Sequence, residues 1–256
     1  IYFSAITPSA TGGQPASAYF MIKDGIPGMF TTVALVVNLV MYTLSILAIA
    51  LICLCARPGL FLHFNRFSQI LIVVGVGAQV VLAVFFVMLL KREKALHRLC
   101  DAVLRFLARL HLLRRPEQKR EKLRIYMEDY VRYAQMLHGR SGMLLRAFLF
   151  NFLQRAAQIA GTVFVYLAIG GDPARAFDIW VLQGFVVLGS NCVPIPGAMG
   201  VSDYLMLDCF GRVPVPSGAG NLELLSRAVS FYFCILICGI AMLAKFYILK
   251  RRRKRL

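Results

Sequence analysis

The sequence predicts an all-α fold: a polytopic membrane helical bundle with two re-entrant or broken-helix segments. Three observations predict it. Hydrophobic residues make up 59% of the 256 positions, where a soluble domain is nearer half, and several runs reach the ~20 apolar residues needed to cross a bilayer. The charge is strongly basic, +17, and the basic residues gather in connections beside apolar runs, the pattern of cytoplasmic membrane loops rather than of a nucleic-acid binder. Finally, two stretches rich in Gly and Pro, Ser4–Tyr19 (S-A-I-T-P-S-A-T-G-G-Q-P-A-S-A-Y) and Val193–Tyr204 (V-P-I-P-G-A-M-G-V-S-D-Y), interrupt apolar surroundings. Proline removes a backbone donor and glycine frees the chain from helical geometry. In lipid such backbone survives only where protein or a water-filled cavity covers it.

Taken in order, Ser4–Tyr19 has the composition of a loop or turn and forms the first expected re-entrant segment. The chain opens at Ile1, inside this motif and without a signal peptide, which predicts further helices upstream in a longer parent protein. The first span covers 30–56, with Asn38 as its one strongly polar interior residue; Arg57-Pro58-Gly59 ends it. A short connection with His63 and Arg66 leads to a second span over 69–90.

Residues 91–140 differ in kind, with fourteen Lys/Arg against six Asp/Glu. Leu96, Leu99, Val103, Phe106, Leu107, Leu110 and Leu113 recur at helical steps up to Arg115-Pro116, and Leu123, Tyr126, Tyr130, Val131, Ala134 and Leu137 form a second apolar side. This reads as a cytoplasmic amphipathic helical hairpin lying on an anionic membrane surface or packed under the bundle. A dock for tRNA or a partner protein is the sharper alternative, but no nucleic-acid motif accompanies the charge, so no direct nucleic-acid partner is expected.

The third span, 143–169, carries Arg146, Asn151, Gln154, Arg155 and Gln158. Arg155 lies about 20 Å along it at 1.5 Å per residue. A charge at that depth should face the bundle interior and have a partner, or snorkel to the interface. Gly170–Pro173 is a turn, and 176–210 reads as broken helices around the second motif. The last span covers 222–249, with Arg227 expected near the interface, and ends in six consecutive basic residues, Lys250–Arg255.

Topology follows by parity. With 91–140 and the C-terminal tail cytoplasmic, the turn at Gly170–Pro173 and the connection Gly211–Gly220 both lie outside. Val201–Phe210 is only about 15 Å long as a helix, so 176–210 fits a re-entrant pair better than two crossings. The two broken segments then enter from opposite faces. Paired Gly/Pro-interrupted segments of this kind point to an inverted repeat with a midplane site, and Ser17-Ala18-Tyr19 against Ser202-Asp203-Tyr204 is a small internal echo.

I-T-P-S-A-T-G-G-Q-P-A at Ile6–Ala16 and P-I-P-G-A-M-G-V-S-D at Pro194–Asp203 resemble the flippase-like family, the lysylphosphatidylglycerol synthase transmembrane region found in multiple peptide resistance factors. The resemblance runs over nearly the whole chain. The family's second motif reads P-x-P-G-G-x-G followed by Glu; here Ala198 replaces a Gly and Asp203 stands in the place of the Glu. The resemblance implies movement of phosphatidylglycerol or aminoacyl-phosphatidylglycerol to the outer leaflet of a bacterial cell membrane, with resistance to cationic antimicrobial peptides as the outcome.

On that reading, broken helices present free amides and half-helix N-termini to a lipid phosphate. Gly12, Gly13, Gly197 and Gly200, with Pro196 beside them, permit close backbone approach. Arg155 supplies positive charge, Asp203 pairs with an ammonium or with Arg155, and Gln14 hydrogen-bonds the headgroup. Asp203 as an N-terminal helix cap is the structural alternative.

Other classes are weaker. The seven cysteines show no zinc spacing or disulfide framework, so no metal or cofactor is expected. His63, His97, His111 and His138 lie in connections, which leaves no catalytic set in the spans. The alternative function is the membrane part of a phosphatidylglycerol lysyltransferase system that anchors or regulates a separate soluble synthase domain.

Overall fold

The computed structural model describes residues 13–91, 129, 130, 132, 133, 135, 139–191, 193, 195 and 198–253. All secondary structure among them is helical: α1 (Gly13–Lys23), α2 (Gly28–Ala56), the short α3 (Pro58–Phe61), α4 (Arg66–Lys91), α5 (Ser141–Ala168), α6 (Ala176–Ser190), α7 (Val201–Phe210), α8 (Ala219–Arg227) and α9 (Phe233–Arg253). A 3₁₀ turn, Pro173–Arg175, precedes α6, and a π-helix, Ala228–Tyr232, joins α8 to α9.

Gly28–Ala56, Arg66–Met88 and Ala219–Ala244 are long and apolar enough to cross a membrane. At 28 residues, or about 42 Å at 1.5 Å per residue, α5 has the length to do so as well, but polar side chains interrupt its apolar run. The first expected loop is partly helix. Residues 4–12 lie outside the described residues, but Gly13–Lys23 is α-helical. Pro15 falls in the first turn, where its missing N–H leaves nothing unpaired, and Ala16 and Ala18 carry the helix on. Most of 91–140 also lies outside the described residues.

By internal contacts the chain forms two compact units: one of Ile1–Ala16, Ile46–Ala78 and Leu153–Leu256, the other of Ser17–Ser45 and Gln79–Phe152. In the second, Val33, Val37, Val40 and Met41 of α2 recur at helical spacing and are buried with Tyr130, against Leu44, Phe86, Leu144 and Phe148. Tyr133 adds an edge-to-face contact with Phe30 at 5.9 Å. Polar groups tie α2 to α5: the Asn151 amide donates to Asn38 Oδ1 at 3.2 Å, and Ser45 Oγ to the Phe148 carbonyl at 3.3 Å. Asn38 thus has the packing role its position allows; interhelical bonds of this type contribute about 0.6–2 kcal/mol in lipid.

The first unit is arranged around α6. Ile179, Val181, Leu182, Phe185, Val186 and Leu188 are all 3% exposed or less, as expected of a helix apolar on every side. Neighbours reach it closely because glycines face it or lie on it. A Cβ at Gly184 would meet Cys53 Sγ of α2 at 2.6 Å, and one at Gly189 would meet Leu205 of α7 at 2.8 Å. A Cβ on Gly75 of α4 would overlap the Leu188 carbonyl. Phe61 and Phe64 pack on Phe185, with ring centroids 5.8 and 6.0 Å away, and the Trp180 indole donates to the Ala156 carbonyl at 3.3 Å.

Gly75→Ala should therefore destabilise the protein by about 1–3 kcal/mol, the usual overpacking range, because backbone cannot yield as a side-chain tip can. Gly77, with nothing near its Cβ position, provides the control: Gly77→Ala should be neutral or gain up to ~1 kcal/mol. Thermal unfolding in detergent reads both, and equal melting temperatures for the two variants would contradict the packing described.

Candidate functional site: a charged cluster at a helix break

The second motif is where the helix breaks. α6 closes at Ser190 with Asn191 N donating to the Val187 carbonyl at 3.0 Å, and α7 starts at Val201. Between them the backbone turns tightly, with Ile195 N on the Val193 carbonyl at 2.8 Å and Ala198 N on the Ile195 carbonyl at 3.0 Å. Ala198 has φ 51° and Gly200 φ 84°, left-handed values that glycine adopts freely and alanine does not. Ala198 therefore holds a strained conformation where the family motif has Gly. At 15 and 10 residues, α6 and α7 extend about 22 and 15 Å, each short of the ~30 Å hydrocarbon thickness. The two helices pack on each other.

Asp203 sits in the first turn of α7 and reaches back: its Oδ2 accepts the Gly200 amide at 2.8 Å. This satisfies an orphan N–H and places negative charge at a helix N-terminus, both favourable. The capping alternative for Asp203 is therefore real, and it uses one carboxylate oxygen. The other oxygen, Oδ1, forms an ion pair with Arg227 Nη2. Arg227 also donates through Nε to Glu223 Oε1 at 2.9 Å. Side-chain exposure is 30% for Asp203, 11% for Arg227 and 8% for Glu223. Two carboxylates thus share one guanidinium in a largely desolvated cluster. Removing one member of such a cluster costs about 3–5 kcal/mol, since it strands buried charge.

Arg227 is buried against protein, because α8 turns its polar face inward. Leu222, Glu223, Ser226 and Arg227 are buried while Leu224 and Leu225 are exposed. A helix that hides its charges and displays two of its three leucines fits an apolar solvent. The signal was present in N-L-E-L-L-S-R, where the acid and the base fall four apart on one face.

A second polar cluster fixes α7 to the start of α4. Asn65 caps α4, its Oδ1 accepting Ser68 N at 2.7 Å. Asp208 of α7, 7% exposed, accepts Asn65 N at 2.8 Å and Ser68 Oγ at 2.7 Å through Oδ2. Its Oδ1 accepts Arg212 at 3.0 Å. The Tyr204 hydroxyl accepts from Asn65 Nδ2 at 2.6 Å. Sequence reading passed over Asp208; an acid within the apolar L-M-L-D-C-F run was the available cue.

Of the other expected site residues, Arg155 donates to Gln158 Oε1 at 2.7 Å within α5, and the partner the structure gives Asp203 is Arg227. Gly13 and Gln14 are half-buried in the first turn of α1. Gly12, Pro196 and Gly197 lie outside the described residues. Among the described residues no group of His, Cys, Asp and Glu is placed to hold a metal ion.

The profile of the lysylphosphatidylglycerol synthase TM region family matches residues 1–238. A UPF0104 membrane protein of Pyrococcus horikoshii is 25% identical over 256 residues, spanning 95% of this chain and 73% of that protein. No solved structure matches at a significant level. The inside-out α8, the three apolar helices of spanning length and the family match agree: the chain is a multi-pass α-helical membrane protein that belongs to the lysylphosphatidylglycerol synthase TM region family.

Proposed function

We propose that this chain is a lipid flippase-like protein that carries phosphatidylglycerol or its aminoacyl derivative between leaflets of a bacterial plasma membrane. Arrival of aminoacylated lipid on the outer leaflet would mask negative surface charge and blunt cationic antimicrobial peptides. The observation that carries the reading is the Asp203–Arg227–Glu223 cluster beside a broken helix. Buried charge next to unwound backbone in an apolar protein is the arrangement expected of a headgroup site. Family membership favours a phospholipid over a small solute.

In this reading Arg227 is the group that meets the phosphate, joined by Arg155 from α5. Asp203 faces the ammonium of an aminoacyl headgroup. Gly12, Gly13, Pro196, Gly197 and Gly200 keep the backbone accessible, and Gln14 offers an amide. Acyl chains stay in lipid while the headgroup crosses the polar path. The basic segment 91–140 and the tail face the cytoplasm, with the two broken segments entering from opposite sides as an inverted repeat.

Leaflet exchange in proteoliposomes tests this. The protein is reconstituted with headgroup-labelled phosphatidylglycerol or lysylphosphatidylglycerol, and an impermeant quencher reports the outer leaflet. Exchange should exceed that of empty vesicles and fall at least tenfold in Asp203→Asn and Arg227→Ala, while Gly77→Ala retains it. Folding of each variant is checked by thermal unfolding. Unchanged exchange in both charge variants would sink the site assignment. No exchange of either lipid by folded protein would favour the anchoring role, in which the strongly basic 91–140 segment (fourteen Lys/Arg, six Asp/Glu) holds a soluble synthase. Co-purification of that synthase, lost when lysines and arginines of 91–140 are neutralised, is the expected result in that case.

A further inference from the structure

The cluster joins two helices that are held very differently. On one side α7 is fastened to the start of α4, through Asp208 on Asn65 N and Ser68 Oγ and through Tyr204 on Asn65. On the other side α8 ends at Arg227, and the next five residues, Ala228–Tyr232, form a π-helix. From Ala228 to Ala244 no side chain is buried, so α8 continues into a helix without a packed core around it.

A π turn is one residue wider than an α turn and leaves carbonyls at its ends poorly matched to backbone donors. Here side chains take up the slack. Ser230 Oγ donates to the Ser226 carbonyl at 2.6 Å, and the Cys234 thiol lies 4.0 Å from the Val229 carbonyl, five residues back. Hydroxyl back-bonding of this kind loosens and bends helices. Closing five residues from π to α geometry turns the preceding helix by about one residue's worth, ~100°. On α8 that rotation exchanges the face carrying Glu223 and Arg227 for the one carrying Leu224 and Leu225.

We infer that the π segment Ala228–Tyr232 is a hinge that swings Arg227 on and off Asp203, and so works as the latch of the charged cluster. The inference rests on the headgroup reading for the ligand that opens the latch, a phosphate anion competing with the Asp203 carboxylate, but not for the hinge itself. Asp203 is built to release Arg227 without losing its own place, because Oδ2 keeps the Gly200 amide at 2.8 Å when Oδ1 lets go. Glu223, on the same helix as Arg227 and 2.9 Å from its Nε, travels with it and keeps the guanidinium paired throughout. The moving part is therefore α8, and the fixed part is α7.

Hydrogen exchange read by mass spectrometry tests this on the whole protein. The medium is phosphate-free maltoside micelles, alone, with added phosphatidylglycerol, or with inorganic phosphate. In the native sequence, amides of 228–233 should exchange at least tenfold faster than those of 236–244. Phosphatidylglycerol should change the rates over 223–233 severalfold while 201–210 stays slow. Deleting Val229 removes the extra residue of the wide turn. It should bring 228–233 to the rate of its neighbours and abolish the lipid effect. Ser230→Ala, a milder change, should act in the same direction and keeps the test alive if the deletion fails to fold. Slow exchange at 228–233 in the native protein overturns the hinge, as does a lipid response that survives both changes. A fast segment slowed by both changes, with no response to phosphatidylglycerol, supports the hinge and counts against the headgroup reading. A response to inorganic phosphate as large as that to the lipid assigns the latch to the phosphate group itself.

Discussion

A guanidinium in an apolar medium must keep a carboxylate beside it, and Arg227 answers to this constraint. Its two carboxylates come from different elements, Glu223 from its own helix and Asp203 from α7. Pairing it with both at once requires that α8 lie against α7 with its polar face inward. The break before α7 follows from the same demand, since Asp203 can reach both the Gly200 amide and Arg227 only from the first turn of a helix. The left-handed backbone at Ala198 and Gly200 is what ends the turn there.

The support beneath this cluster is different in character. α6 is held mainly by shape: apolar side chains lie on nearly all sides, with glycines letting α2, α4 and α7 come close, and charge enters at its first turn, where Asp178 pairs with Arg57 at 3.0 Å. Close-packed interiors of this kind move as rigid pieces. The polar ties at Asp208 then transfer that rigidity to α7. What is left free to adjust is the part of the first unit with the fewest buried side chains, beyond Arg227.

Much of the fold was legible because hydropathy reports on solvent directly. The long helices α2, α4 and α5 fall within three residues of the expected start of each span, since an apolar run preceded by Gly-Ile-Pro, by Asn-Arg or by Gly-Arg has few places to begin. The break at 191–200 was visible because proline and glycine cannot hide in such a run. Helix α1 was less legible. Gly, Pro and Ser predict a loop by composition, yet Pro15 sits in the one turn of a helix that tolerates it. The site was half legible. Asp203 and Gly200 stand out by residue type, whereas Arg227 and Asp208 leave only faint cues in the sequence, and their roles emerge from which helix face is buried. That depends on neighbours far away in sequence. The partner of Asp203 could not be read from spacing at all: Arg155 and Arg227 are equally good cations until α8 is placed.

Asp208 also has a meaning for how the chain is made. The first turn of α4 owes part of its capping to a carboxylate that lies 143 residues further along. A nascent chain that has threaded α4 into the bilayer therefore carries an incomplete helix end, with the Asn65 amide and the Ser68 hydroxyl still turned to headgroups or water. That end is completed only when α7 leaves the translocon and folds back. Until then α4 has reason to stay shallow and adjustable. Arrival of the broken segment thus completes a helix end laid down 143 residues before Asp208.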